Sequence, residues 1–239
     1  MFKPVLNITE QIAEYLADQI IFDELPGSTR IQEVKVAKSL DVSRGSIREA
    51  LLILERKHLI EIVPRRGAVV NDLDRADALE LIDVFALLKK RWLLELMNHP
   101  SLGDVLVGAK DVIRSMDDAA RADDARQMLK ARAAFHVETL APAGRYLVAV
   151  FESLLPTSQR LMYRLVRDTD LDLYDLARLY KALLTALEDQ SEERVSELVS
   201  AFHLRLRKLS EKVFAESGRN NVRSIGTVSG RSNGKKTAA

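Results

Sequence analysis

The sequence predicts a mainly α chain in two parts. The first is a small N-terminal unit of three short helices closed by a β-hairpin, and the second is a larger C-terminal antiparallel bundle of about six helices. Three observations predict this. Apolar residues recur at helical spacing almost without interruption after Asp74. Two β-branched runs, Leu59–Val63 and Ala68–Asn71, flank the short turn Pro64-Arg65-Arg66-Gly67. Turn residues are frequent before Asp74 and widely spaced after it. The 239 residues are enough for two domains, read here as 1–74 and 75–217, followed by a basic tail, 218–239.

In the first part, Asn7 followed three residues later by Glu10 suits a helix N-terminus, where the side chain caps a free backbone N–H. Ile12, Leu16 and Ile20 then share one face. Pro26-Gly27 breaks the chain. A second short helix, about Ile31–Ser39, presents Val34, Ala37 and Leu40 on one side. Asp41-Val42 makes a turn and Ser43 caps a third helix, in which Ile47, Leu51 and Leu54 repeat at i, i+4, i+7. The hairpin follows. Three helices and a hairpin, in that order, make a winged helix-turn-helix.

The second part divides into helices at 76–98, 102–121, 123–140, 144–166, 171–188 and 191–216. Breaks fall at His99-Pro100, Ala122, Pro142-Ala143-Gly144 and Thr169-Asp170. Apolar stripes such as Leu183, Leu184 and Leu187, or Val195, Leu198, Val199 and Phe202, belong to an antiparallel bundle.

Composition excludes several classes. A formal net charge of +1 gives no global field for nucleic acid, so any DNA binding must come from a local patch. There is no cysteine, hence no disulfide framework, thiolate nucleophile or cysteine zinc site. No apolar run approaches the roughly 20 residues of a membrane span. The start, Met1-Phe2-Lys3-Pro4, lacks the apolar core of a signal peptide, so a cytoplasmic protein is expected.

The informative stretch is Val42 to Leu51. With Ile47 and Leu51 facing inward, Arg44, Gly45, Ser46 and Arg48 stand outward on the first turns of the third helix. That is where a recognition helix reaches base edges in the major groove. Arginine pairs with guanine O6 and N7, hydroxyls serve bases or phosphates, and glycine lets the backbone come close. Arg65 and Arg66 at the wing tip add a second cluster on the same side. Taken alone, two outward arginines are usually just solvated.

The string from Val42 to Val70, VSRGSIREALLILERKHLIEIVPRRGAVV, resembles the signature of the GntR family of bacterial regulators, and IQEVKVAKSL resembles the family's preceding helix. The resemblance covers about residues 8–71. It implies binding to double-stranded operator DNA through Arg44, Gly45, Ser46, Arg48 and the wing residues Arg66 and Gly67. Ser43 would touch phosphate while capping its helix, and Lys35 is a further phosphate candidate. His58 stands where the family usually has glycine, so the turn there is expected to differ slightly.

The helical second part resembles the FadR-like (FCD) subgroup, and its helix count the VanR-like branch, which implies a homodimeric effector sensor. Many such domains hold a divalent metal through an Asp and three His. Here Arg132, His136, Tyr180 and His203 fall at those four positions, while Phe85 and Lys89 replace an Arg and a Glu of the first helix. An arginine there favours an anion over a cation. No metal and no cofactor is therefore expected, and the effector would be a small anionic organic molecule. Competing readings are core histidines, a tyrosine that only packs, and Arg132 paired with Glu138 or another acid. Others are a cavity occluded by Phe85, a metal-dependent sensor, a bundle that is only an interaction module, and a helical enzyme using His136 as base. Against the enzyme stand the lack of cysteine, of a Gly-rich phosphate loop and of HExxH. The tail, with Arg219, Arg223, Arg231, Lys235, Lys236 and no acidic residue, is expected to be disordered.

Overall fold

The computed structural model describes residues 7–226, and the side chains of residues 7–215. Its elements run α1 (Ile8–Ile21), β1 (Arg30–Ile31), α2 (Glu33–Leu40), α3 (Arg44–Arg56), β2 (Ile60–Val63), β3 (Gly67–Val70), α4 (Arg75–Met97), α5 (Leu102–Arg121), α6 (Ala125–Leu140), α7 (Arg145–Asp168), α8 (Leu173–Glu188) and α9 (Glu192–Gly226).

Local chemistry sets the element ends. The Asn7 side chain accepts from the Glu10 N–H and the Glu10 carboxylate accepts from the Asn7 N–H, a reciprocal capping box that starts α1. Ser43 Oγ accepts from the Ser46 N–H at 3.0 Å and starts α3. Asp74, Asp124 and Asp172 cap α4, α6 and α8 in the same way.

The hairpin is part of a three-stranded antiparallel sheet, ordered β1-β3-β2, in which Ile31 pairs with Ala68 and Glu61 with Val69. β1 is absent from the sequence reading, which ran α2 back to Ile31. Ile31 instead pairs with the wing and buries its side chain, so α2 starts at Glu33. The expected inward stripe of α2 is also corrected. Ala37 is buried and Leu40 half-buried, but Val34 is 59% exposed, because so short a helix packs on α3 along a narrow line.

His58 corrects another expectation. It follows the C-cap of α3 with φ of 56°, its N–H bonds the Glu55 carbonyl at 2.9 Å, and the Leu59 N–H bonds the Leu54 carbonyl at 3.1 Å. This is the Schellman turn that glycine usually makes, with buried Leu54 and Leu59 at its apolar contact. The turn therefore takes the shape that glycine usually makes, and histidine carries the cost of the left-handed conformation.

In the bundle α5 packs on α6 and α8, and α4 on α7 and α9. Trp92, Phe135, Phe151 and Tyr180 are fully buried at its centre. The backbone of α9 continues to Gly226, past the Ser217 boundary of the sequence reading; no proline interrupts it, and one interior glycine, Gly218, costs a helix only about 1 kcal/mol. Residues 1–6 and 227–239, with Arg231, Lys235 and Lys236 of the predicted tail, lie outside the described residues.

The two domains dock through α1 and α7. Arg167 pairs with Asp23 at 2.6 Å, Lys130 with Asp18 at 2.8 Å, and Arg126 with Glu24. Phe22 meets Tyr163 edge-on. Arg160 Nη1 donates to the Asn71 carbonyl at 2.5 Å. Gly27 lies so close to Asp72 and Arg160 that a Cβ would fall 2.6 Å from the Asp72 carboxylate, which accounts for glycine there.

Candidate nucleic-acid interface and sensor cavity

α3 presents its N-terminal turns to solvent. Ile47, Ala50, Leu51 and Leu54 are buried, while the Arg44 and Arg48 side chains are 59% and 62% exposed. Both point toward Glu33 of α2, with Arg48 Nε 2.9 Å and Arg44 Nη2 3.9 Å from its Oε2. Glu33 was missed in the sequence. An acid on the preceding helix holds the arginine stems in place while their remaining N–H groups face outward. Such exposed pairs add little stability, so their effect is orientation. A Cβ at Gly45 would meet only Ser43 Oγ, at 3.6 Å, so the fold itself does not demand glycine there. The hydroxyls of Ser43 and Ser46 bond each other at 2.9 Å, and Lys35 is exposed on α2.

At the wing the Arg66 N–H bonds the Val63 carbonyl at 3.0 Å, with Pro64 and Arg65 as the central turn residues. Arg65 has φ of 64°, where glycine or asparagine is usual in a type II turn, and Gly67 follows at 80°. Both Arg65 and Arg66 are exposed. A left-handed arginine at a loop tip is a local strain of the kind held at contact sites.

The second site lies inside the bundle. A cavity with about 40 Å³ of free space is lined at its polar end by Lys89 of α4, Arg132 of α6, Ser158 of α7 and His203 of α9. Phe85 packs against Phe151 with ring centroids 4.6 Å apart and forms part of the wall. Lys89 and Arg132 are 6% and 2% exposed. Among the described residues Arg132 pairs with no acid, Glu138 included. Its Nη2 donates to Ser158 Oγ at 3.1 Å, while Nε and Nη1 are buried without a partner.

Lys89 was missed as a site residue. Its Nζ donates to the Tyr180 hydroxyl at 3.0 Å, and that hydroxyl lies 2.9 Å from His136 Nε2. An ammonium only donates, so the hydroxyl accepts from Lys89 and donates to Nε2, which leaves the His136 proton on Nδ1, itself unpartnered. Burial, aided by Lys89 and Arg132, holds His136 well below the usual imidazole range and therefore neutral. Burial likewise depresses Lys89, with Arg132 adding to it. For Tyr180 burial works upward, but Arg132 and Lys89 outweigh it and hold the phenol below its ordinary value.

Of the four sequence candidates, Arg132, His136 and Tyr180 come together. His136 and Tyr180 do not line the cavity; they support Lys89 from behind. His203 lines the cavity but its Nε2 is bound to Asp83 at 2.6 Å, where Arg207 also pairs. The donor set does not fit a divalent metal. Among the described residues no three His, Cys, Asp or Glu side chains are placed to hold one, and the unsatisfied groups facing the cavity are those of a cation.

A winged helix-turn-helix with an outward arginine turn, joined to an all-helical domain with a lined cavity, is the architecture of a DNA-binding regulator. The comparisons agree. Residues 8–70 match the family described as bacterial regulatory proteins, gntR family, and residues 80–205 match the FCD domain. The chain belongs to the GntR family of regulators, in its FCD-containing group. It is 26% identical over 151 residues to the gluconate operon transcriptional repressor of Bacillus licheniformis, covering 62% of this chain and 61% of that one. It is 32% identical over 74 residues to the HTH-type transcriptional repressor RspR of Escherichia coli K12, covering 31% of this chain and 32% of that one. In fold it is similar to E. coli McbR/YncC (TM-score 0.73, 17% identity, 87% of this chain and 99% of that one). A GntR-type regulator from Rhodococcus sp. RHA1 is also similar (TM-score 0.68, 17% identity, 87% and 97%). The matched relatives are regulators rather than enzymes. Among the described residues no helix is long and apolar enough to cross a membrane.

Proposed function

We propose that the chain is a cytoplasmic, homodimeric repressor that binds double-stranded operator DNA and is released by a small anionic metabolite. The outward turn Ser43–Arg48, with two arginines oriented by a single acid, carries the DNA-binding half of this reading. Arg44 and Arg48 read guanines, Gly45 and Ser46 admit the backbone to the groove, and Lys35, Ser43, Arg65, Arg66 and Gly67 meet phosphates. Dimerisation is supported by apolar residues exposed one turn apart on α7, Tyr146 at 73% and Val150 at 48%. A two-fold dimer would read a pseudo-palindrome. The six helices of the second domain favour the VanR-like branch.

Release is supported by adjacent residues of α7. Ser158 accepts from Arg132 at the cavity, and its neighbour Thr157 donates to the Lys57 carbonyl at 3.3 Å, at the end of α3. Pro156 precedes both inside the helix, where it removes a backbone hydrogen bond and permits a bend. An anion that draws Arg132 from Ser158 would shift the population of α7 geometries and so the seating of α3. Footprinting of genomic fragments tests the DNA-binding half. Wild type should protect a palindromic site, and Arg48→Ala should lose about 1–3 kcal/mol of discrimination. Equal protection by Arg48→Ala would refute the recognition-helix assignment.

A further inference from the structure

Resting on the anion-sensing reading, we propose that the cavity takes an amphipathic monocarboxylate. Lys89 and Arg132 would together hold its head, and the walls of α4, α7, α8 and α9 its apolar body. Two observations carry this. The polar end holds two buried cationic side chains with no carboxylate of the described residues in ion-pair reach, and Arg132 Nε and Nη1 have no partner there. A buried guanidinium left with free donors is costly, and one carboxylate would satisfy it. The second observation is the rest of the wall. Twelve of its sixteen lining residues are apolar, among them Phe85, Met162, Leu183, Val199 and Phe202.

That asymmetry selects the ligand. Beyond the head there are almost no groups to satisfy a hydroxyl or a second carboxylate. Each hydroxyl buried there without a partner would weaken binding about 5- to 150-fold. Each methylene placed on the apolar wall should strengthen it about fourfold. The free space is about 40 Å³, so a short acid needs the least rearrangement of the wall. Longer chains need Met162, a flexible side chain, to give way.

Hexanoate and gluconate make the deciding pair, since each has six carbons and one carboxylate and they differ in five hydroxyls. Titration calorimetry of the full chain is run with acetate, butyrate, hexanoate and gluconate. Affinity should rise from acetate to hexanoate, with gluconate at least 100-fold weaker than hexanoate. Arg132→Met and Lys89→Met should each weaken hexanoate at least tenfold, with circular dichroism confirming the fold. Phe202→Ala should move the preferred chain length upward. Gluconate binding as tightly as hexanoate, or acetate binding while hexanoate does not, overturns the amphipathic class and leaves anion sensing standing. Binding indifferent to both Met variants, or no acid bound at all, overturns the inference and the anion-sensing reading together.

Discussion

Replacing Arg132 with methionine should make the unliganded protein more stable. Arg132 is 2% exposed; its Nη2 donates to Ser158 Oγ at 3.1 Å, and its guanidinium also lies close enough to the Tyr180 hydroxyl to help hold that phenol below its ordinary value. Its Nε and Nη1 are buried and unpaired. Two buried donors without acceptors cost about 1–3 kcal/mol each, whereas the bond given up is worth about 1.5–3 kcal/mol. Methionine keeps most of the apolar stem, and its thioether fills the space that the guanidinium occupied. Removing a buried cation near Lys89 also relieves repulsion, since Arg132 helps depress that amine. At the middle of those ranges the balance favours the variant by about 2 kcal/mol. For a chain of this size that raises Tm by roughly 4–8 °C. Urea denaturation and scanning calorimetry measure it, in buffer without carboxylates. A binding group that costs stability until its ligand arrives follows the usual trade between stability and function. Destabilisation by more than about 1 kcal/mol would show that Arg132 is satisfied in the free protein, and would remove the reason for an anion.

Further outcomes follow from other residues. His58→Gly should stabilise by about 0.5–1 kcal/mol in urea melts, because the left-handed φ of 56° costs a side chain more than glycine loses in chain entropy. Glu33→Ala should bind random DNA more tightly and its operator less selectively in competition anisotropy, since Arg48 keeps its charge but loses its orienting partner. Arg65→Ala should weaken all sequences alike and reduce the salt slope by about 1. His136 is neutral when folded, because burial lowers its affinity for a proton, but binds one when unfolded below about pH 6.5. Stability should therefore fall as pH drops below 6.5, by up to about 1.4 kcal/mol per unit. The fall should be smaller in His136→Gln. Tyr146→Asp with Val150→Asp should shift the sedimenting species from dimer to monomer.

Much of the fold was legible because it is decided locally. Asn7 with Glu10, and Ser43, announce helix starts by chemistry that needs nothing distant, and the structure shows those bonds. Pro64 to Gly67 announces the wing in the same way. What escaped the sequence depends on distant partners. β1 exists only because Ile31 finds Ala68 across the wing. Glu33 matters only because α2 brings it to Arg48. Lys89 came forward only through the resemblance, at a position the family fills with another residue, and was not counted among the site residues, although it falls four residues after Phe85 and three before Trp92, on the buried stripe of α4. That spacing was the available signal. Arg132 entered through resemblance alone, and its unpaired donors are visible only once α6, α7 and α8 enclose it.

The most direct test of the account is fluorescence anisotropy on a footprinted operator while hexanoate is titrated, with wild type and Arg132→Met in parallel. Hexanoate should weaken the wild-type complex about 5- to 150-fold, the usual span of allosteric coupling, and leave Arg132→Met unchanged. Equal release of both proteins, or tight operator binding by both at saturating hexanoate, would contradict it.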